Sequence, residues 1–141
     1  MSLKTLLMIK PDGVRRGLIG EVLRRVEQKG FRIAGMKMLQ FDEARAGEFY
    51  QEHIGKPFYQ TLVDFITSGP AVALAVEGDD EERLIPEVRK MMGATRYWEA
   101  TPGTIRGDFA HHLTMNVVHG SDSPASAERE LGIVFEPNEI L

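Results

Sequence analysis

Cysteine is absent from this 141-residue chain. Its absence excludes a disulfide framework, a thiolate metal site and a thiol nucleophile, and it fits a reducing compartment. Long apolar runs are missing too. The N-terminal stretch Leu6 to Ile9 is stopped by Lys10-Pro11-Asp12, far short of a secretory apolar segment, and nothing approaches the roughly 20 apolar residues of a membrane span. A cytoplasmic protein without a membrane partner is therefore expected. An excess of positive charge is also lacking: 17 Lys and Arg against 21 Asp and Glu leave a formal net charge of −4. General nucleic-acid binding needs a basic face, so no specific nucleic-acid partner is expected, and any bound phosphate must meet a local cluster of cations. Neither of the common glycine-rich phosphate loops occurs. Metal-ligand spacings are missing as well, since His111 and His112 are adjacent and would point apart on a regular element. No protein-held metal site is expected. With no internal repeat, low-complexity tract or linker, and with 43% hydrophobic residues, residues 1–141 read as one domain with one core.

What is present follows two periodicities. Leu3 to Ile9 reads as a buried strand that delivers Lys10 to its end, with Pro11-Asp12-Gly13 as a turn. Leu18, Ile19, Val22, Leu23 and Val26 recur at helical spacing before Gly30, which suits the residue just past a helix end. Phe31 to Phe41 has strand character whose alternation slips near Ala34-Gly35-Met36, as a bulge would produce. Asp42 can cap a helix to about Glu52, and Pro57 opens another that carries Phe58, Leu62, Phe65 and Ile66 on one stripe. Ala71 to Val76 is an unbroken apolar run, the mark of a strand covered on both faces. The next helix carries Leu84, Ile85, Val88 and Met92, and Pro86 must either start or kink it. Residues 94–110 show no period and read as a long loop. A strand from Leu113 to His119, a helix from about Pro124 to Gly132 and a short apolar tail, Ile133 to Phe135, complete the chain. This order most simply makes a ferredoxin-like fold of the α+β kind: split βαβ units forming a four-stranded antiparallel sheet with helices packed on one face.

Chemistry concentrates at Asn116-Val-Val-His119-Gly-Ser-Asp-Ser123. A histidine there stands at a strand end, rigid yet facing solvent; Gly120 lets the chain turn, and Ser123 and Pro124 suit a helix start. On that octet alone the favoured reading is a histidine merely hydrogen-bonded at a strand end, and the rest of the chain reverses it. The octet joins five other fragments in order: Leu7-Met-Ile-Lys10-Pro-Asp-Gly13, Lys56-Pro-Phe58, Ser68-Gly-Pro70, Gly93-Ala-Thr95 and Pro102-Gly-Thr-Ile-Arg-Gly-Asp108. Together they resemble the nucleoside diphosphate kinase family over essentially the whole chain.

The resemblance implies an enzyme that moves the terminal phosphoryl group of a nucleoside triphosphate onto a histidine and then onto a nucleoside diphosphate. His119 matches that nucleophile, and an imidazole, with an unperturbed pKa near 6.5, suits such a role without a separate base. Glu130, with Ser121 assisting, matches the residue that orients the ring. Arg89, Thr95 and Arg106 match phosphate ligands. Lys10 matches a group touching sugar and phosphate, Asn116 a sugar ligand, and Tyr50 and His53 groups near the histidine and the phosphates. Phe58 matches the platform on which the base stacks, with Leu62 and Leu113 nearby, although periodicity alone would bury it. Stacking gives broad base specificity, because every base has a π-face. A Mg²⁺ ion held mainly by nucleotide phosphates is implied, as is a homo-oligomer, a hexamer being favoured over a tetramer or dimer. The chain departs from the family at Arg96-Tyr97-Trp98 and at Pro86. A ferredoxin-like RNA-binding module and a catalytically silent interaction subunit are the competing classes. The net acidity opposes the first, and the presence of Lys10, Arg89, Arg106, Asn116 and His119 opposes the second.

Overall fold

The computed structural model describes residues 3–141. Its centre is a four-stranded sheet in the order β2-β3-β1-β4, formed by β1 (Lys4–Ile9), β2 (Arg32–Leu39), β3 (Ala71–Glu77) and β4 (Val118–Gly120), with every pairing antiparallel. This is the expected ferredoxin-like arrangement. The helices are α1 (Pro11–Arg15), α2 (Ile19–Lys29), α3 (Glu43–Phe49), α4 (Tyr59–Ile66), α5 (Glu81–Met92), α6 (Ile105–Phe109) and α7 (Pro124–Val134). Among the described residues no helix is long and apolar enough to cross a membrane.

Strand alternation sorts the core into two layers. Leu6, Met8, Ala71, Ala73 and Ala75 face α3, α4 and α7, while Leu7, Ile9, Val72, Leu74 and Val76 face α2, α5 and α6. The helices therefore cover both faces of the sheet, not one. The helices α2 and α5 of the two split βαβ units share one face, as expected, with α6 beside them, and α3, α4 and α7 cover the other. The unbroken run in β3 already required the second cover, since a strand with apolar residues on both faces must be buried on both. Its alanines lie on one side, where small side chains let the helices approach closely.

The β2 slip is real: the register shifts between Ile33 and Gly35. There a Cβ on Gly35 would stand 2.9 Å from the Glu139 carbonyl oxygen. Gly30 ends α2 in the left-handed conformation, with φ 103°. Asp42, Asp80, Thr104 and Ser123 cap α3, α5, α6 and α7 through their side chains. Helix α5 runs through Pro86.

Several boundaries differ from expectation. Pro11-Asp12-Gly13 is the start of α1 and not a bare turn. Helix α3 stops at Phe49, followed by a single 3₁₀ turn at Gln51–His53, and α4 begins only at Tyr59. The 94–110 segment contains α6, which Gly107 and Asp108 hide from a propensity reading, and α7 continues through Ile133 to Val134. The Leu113–His119 strand shrinks to Val118–Gly120. The strand breaks at Val117, which takes φ 76°, a value no strand accommodates.

Candidate active site

Strand β4 lies at the sheet edge beside β1, with His119 paired opposite Met8. Next to it opens a cavity of about 530 Å³. Every expected site residue except Ser121 lines it: Lys10, Tyr50, His53, Phe58, Leu62, Arg89, Thr95, Arg106, Leu113, Asn116, His119 and Glu130. Ser121 is buried directly behind, where its hydroxyl donates to Glu130 Oε1 at 2.7 Å.

That same carboxylate oxygen lies 3.0 Å from His119 Nε2. In the neutral ring this places the proton on Nε2 and leaves Nδ1 with its lone pair toward the cavity. Burial works against ionisation of Glu130, but the hydrogen bonds from His119 and Ser121 outweigh it and hold its carboxyl below the ordinary value. Phe49 packs edge-on against the imidazole, with centroids 5.0 Å apart. Arg129 sets the other side of Glu130, with Nη2 at 3.7 Å from Oε2 and Nη1 donating to the Glu48 carbonyl at 3.1 Å. The ring is thus fixed in plane and tautomer.

Three cations converge across the cavity. Arg106 is 5% exposed, and its guanidinium donates to the carbonyls of Asn116, Gly93 and Val118 at 3.3, 3.0 and 2.7 Å. Arg89, in the last turn of α5, donates to the Gly120 carbonyl at 3.0 Å. Lys10 is buried, with Nζ 2.8 Å from both the Thr114 carbonyl and Asn116 Oδ1. Burial, then the Arg106 charge, lowers the Lys10 pKa to about 8, with Asp12 opposing. Burial, then Arg89, lowers that of Arg106 to about 10, again with Asp12 opposing. Burial and neighbouring positive charge of the kind that lower the Lys10 and Arg106 values are offset by an incoming polyanion.

The rim is aromatic. Phe58 is 47% exposed and Leu113 51%, so Phe58 leaves the core stripe that periodicity suggested. His53 packs against Phe58 with centroids 5.2 Å apart, and its Nδ1 is buried without a hydrogen-bond partner. Burial, then the Glu130 charge, pushes the Tyr50 phenol up, so it stays a neutral hydroxyl. Among the described residues no group of three His, Cys, Asp or Glu side chains gathers to hold a metal ion.

Residue-level reading missed Phe49, Arg129, Asp122, Asp12 and Val117. Hydrogen bonding to Ser126, against some burial, holds the Asp122 carboxyl below its ordinary value at the cavity wall. Asp12 is 6% exposed and accepts the Val117 N–H at 3.0 Å. A β-branched residue at such a φ costs about 1–3 kcal/mol. Asp12 stands inside a motif already singled out, but nothing in the sequence signals its burial or the Val117 bend.

Residues 3–140 match the family model described as nucleoside diphosphate kinase. A nucleoside diphosphate kinase of Listeria innocua is 53% identical over 98% of this chain and 92% of its own length, and one from Thermus thermophilus is 54% identical over 98% of both. Among solved structures, the Halobacterium salinarum nucleoside diphosphate kinase in complex with CDP superposes with a TM-score of 0.94 at 45% identity, covering 100% of this chain and 92% of that one. The Aquifex aeolicus enzyme gives 0.93 at 41%, covering 100% of both.

Proposed function

The chain belongs to the nucleoside diphosphate kinase family, and from that premise we propose that its phosphoryl transfer between nucleotides runs by a ping-pong route through His119. The observation that carries the reading is the Glu130 contact with Nε2, which leaves Nδ1 as the nucleophile. In the first half-reaction the Nδ1 lone pair attacks the terminal phosphorus of a triphosphate. The bond from phosphorus to the β-phosphate oxygen breaks, and the diphosphate leaves with that electron pair. The proton stays on Nε2, where the Glu130 carboxylate stabilises the positive charge gained by the ring. A phosphate oxygen of the acceptor diphosphate then takes the phosphoryl group and frees the imidazole.

Phosphoryl transfer needs positioning and charge stabilisation above all. Arg89 and Arg106, pre-aimed by backbone carbonyls, together with Thr95, His53 and Tyr50, surround the phosphates. Lys10 and Asn116, bonded to each other, meet the sugar and the transferring group. The base stacks on the open face of Phe58 beside Leu62 and Leu113, which predicts broad base specificity; acceptance of a single base would contradict it. Magnesium fits as an ion carried by the nucleotide phosphates, in keeping with the lack of a ligand cluster among the described residues. When bound it neutralises phosphate charge. Residues 1–141 act in this reading as one domain, in the cytoplasm, within a homohexamer.

The test is incubation with terminally labelled ATP and no acceptor. One phosphate per chain, acid-labile and alkali-stable, is expected, and His119→Ala should lose both label and turnover. Label retained on that variant would refute the histidine route, and a wild-type chain that takes up no phosphate would favour the silent-subunit class.

A further inference from the structure

Asp12 has no part in the mechanism above, yet it is a buried carboxylate whose charge acts on both Lys10 and Arg106. Oδ2 accepts the Val117 N–H at 3.0 Å, and Oδ1 is buried with no hydrogen-bond partner. Val117 is the one non-glycine with positive φ among the described residues. The Val118 N–H reaches back to the Asn116 carbonyl at 2.9 Å, closing a three-residue turn of the strained hand around Val117.

The turn is held from two sides: Arg106 donates to the Asn116 and Val118 carbonyls that flank it, and the segment around Asp12 holds Val117 itself. The Lys10 N–H donates to the Val117 carbonyl at 2.8 Å. At Gly13 the backbone approaches so closely that a Cβ would stand 3.1 Å from that carbonyl and 2.8 Å from Ile9 Cγ2. The turn separates Asn116, which holds the Lys10 ammonium, from His119, so its shape decides how far apart those two groups stand. The unpartnered Oδ1 has a second consequence, because a buried negative charge free of a local partner acts on charges further away. The charges that act on Lys10 are those of Arg106 and Asp12, and those that act on Arg106 include Arg89 and Asp12. Asp12 is the acidic member of both sets.

We propose that Asp12 is a positioning residue for phosphoryl transfer: its carboxylate pins the Val117 turn that spaces Asn116 from His119, and its negative charge keeps Lys10 and Arg106 cationic in the cavity. The inference rests on the reading of that cavity as the phosphate site. Lys10 is the sensitive partner, since its pKa of about 8 lies close to working pH. Loss of an opposing negative charge lowers it further, so Lys10 becomes neutral at a lower pH.

Asp12→Asn separates the two roles, because an amide oxygen can still accept the Val117 N–H while the charge is gone. The alkaline limb of kcat/KM should move to lower pH by about one unit, an about tenfold change in the Lys10 protonation ratio at fixed pH. The Lys10 side-chain resonance, followed by carbon NMR with a Lys10→Arg control for assignment, should titrate lower by the same amount. Asp12→Ala should lower kcat across the whole profile, having lost both roles. If Asp12→Asn folds poorly, Val117→Gly in the same chain removes the cost of the left-handed turn, and the limb is read there against Val117→Gly alone. An unchanged limb and an unchanged Lys10 titration would overturn the proposal even with reduced activity, leaving a structural carboxylate. Failure of the unsubstituted protein to form phosphohistidine would instead sink the underlying mechanism, so the two failures are distinguishable.

Discussion

Lys10 is held where a lysine is least stable. It is 7% exposed, and burial with a neighbouring guanidinium lowers its pKa from 10.5 to about 8. In the unfolded chain the same group keeps its proton up to about 10.4. Between those values the unfolded state binds more protons, so this group makes stability rise with pH across that window. Below it the nucleotide-free protein carries the full cost of the buried charge, on the order of 3 kcal/mol. Lys10→Met should therefore abolish catalysis yet stabilise the empty protein near neutral pH, less whatever the lost bonds to Thr114 and Asn116 contributed. Urea denaturation at a series of pH values checks this: the gap should narrow as pH rises from about 8 toward 10.5, and a gap that ignores pH would contradict the burial argument.

Among the elements, the junction between α5 and α6 governs the phosphate ligands. Gly93 ends α5 at φ 91° and ψ 170°, a region open essentially to glycine alone. Its carbonyl accepts from Arg106, and a Cβ there would meet Thr104 Oγ1 at 2.5 Å. That hydroxyl caps α6 by accepting the Gly107 N–H at 2.9 Å. Gly93→Ala thus strains the backbone, displaces a cap and moves the helix that carries Arg106. A stability loss of at least about 1–3 kcal/mol is expected, with KM for nucleotides raised more than kcat is lowered. Thermal melting and steady-state kinetics test the two parts together. A normal melting temperature with intact KM would show that the junction tolerates a side chain.

At the scale of the whole molecule, the apolar surface left in water is informative. Trp98 is 62% exposed and packs edge-on with Tyr97, centroids 5.1 Å apart, on a 3₁₀ turn, Tyr97–Glu99, within the surface segment that departs from the family pattern. Met36 and Met38 are each 58% exposed on the edge strand β2. Large aromatics and an unpaired strand edge are features that assembly covers. Light scattering behind gel filtration should give about six chains of 15.8 kDa, and Tyr97→Ala with Trp98→Ala should reduce mass or stability before activity. A stable dimer or tetramer would refute the hexamer. Unchanged mass with lost nucleotide binding would move this segment to the active site.

The sequence alone determined the order of the four strands and of α2, α3, α4, α5 and α7, the β2 bulge at Gly35, the caps at Asp42 and Ser123, and, through the family motifs, twelve of the residues that line the cavity. Each of these depends on near neighbours: a period of two or 3.6, a glycine where φ must be positive, a hydroxyl or carboxylate before a helix, a motif whose spacing is carried in the chain. Tertiary structure decided what depends on partners remote in sequence. Phe58 looked like core by periodicity, because its stripe is continuous with Leu62 and Ile66, although the family motif set it outward, and the packing of α4 leaves it half exposed at the cavity rim. The strand expected from Leu113 ended up three residues long because Asp12, more than a hundred residues away, takes the Val117 N–H. The burial of Lys10 and of Arg106 beside one cavity has the same origin. Local preference is worth tenths of a kcal/mol per residue, whereas burying a charge or satisfying an orphaned donor is worth several, so where the two compete the long-range contact wins.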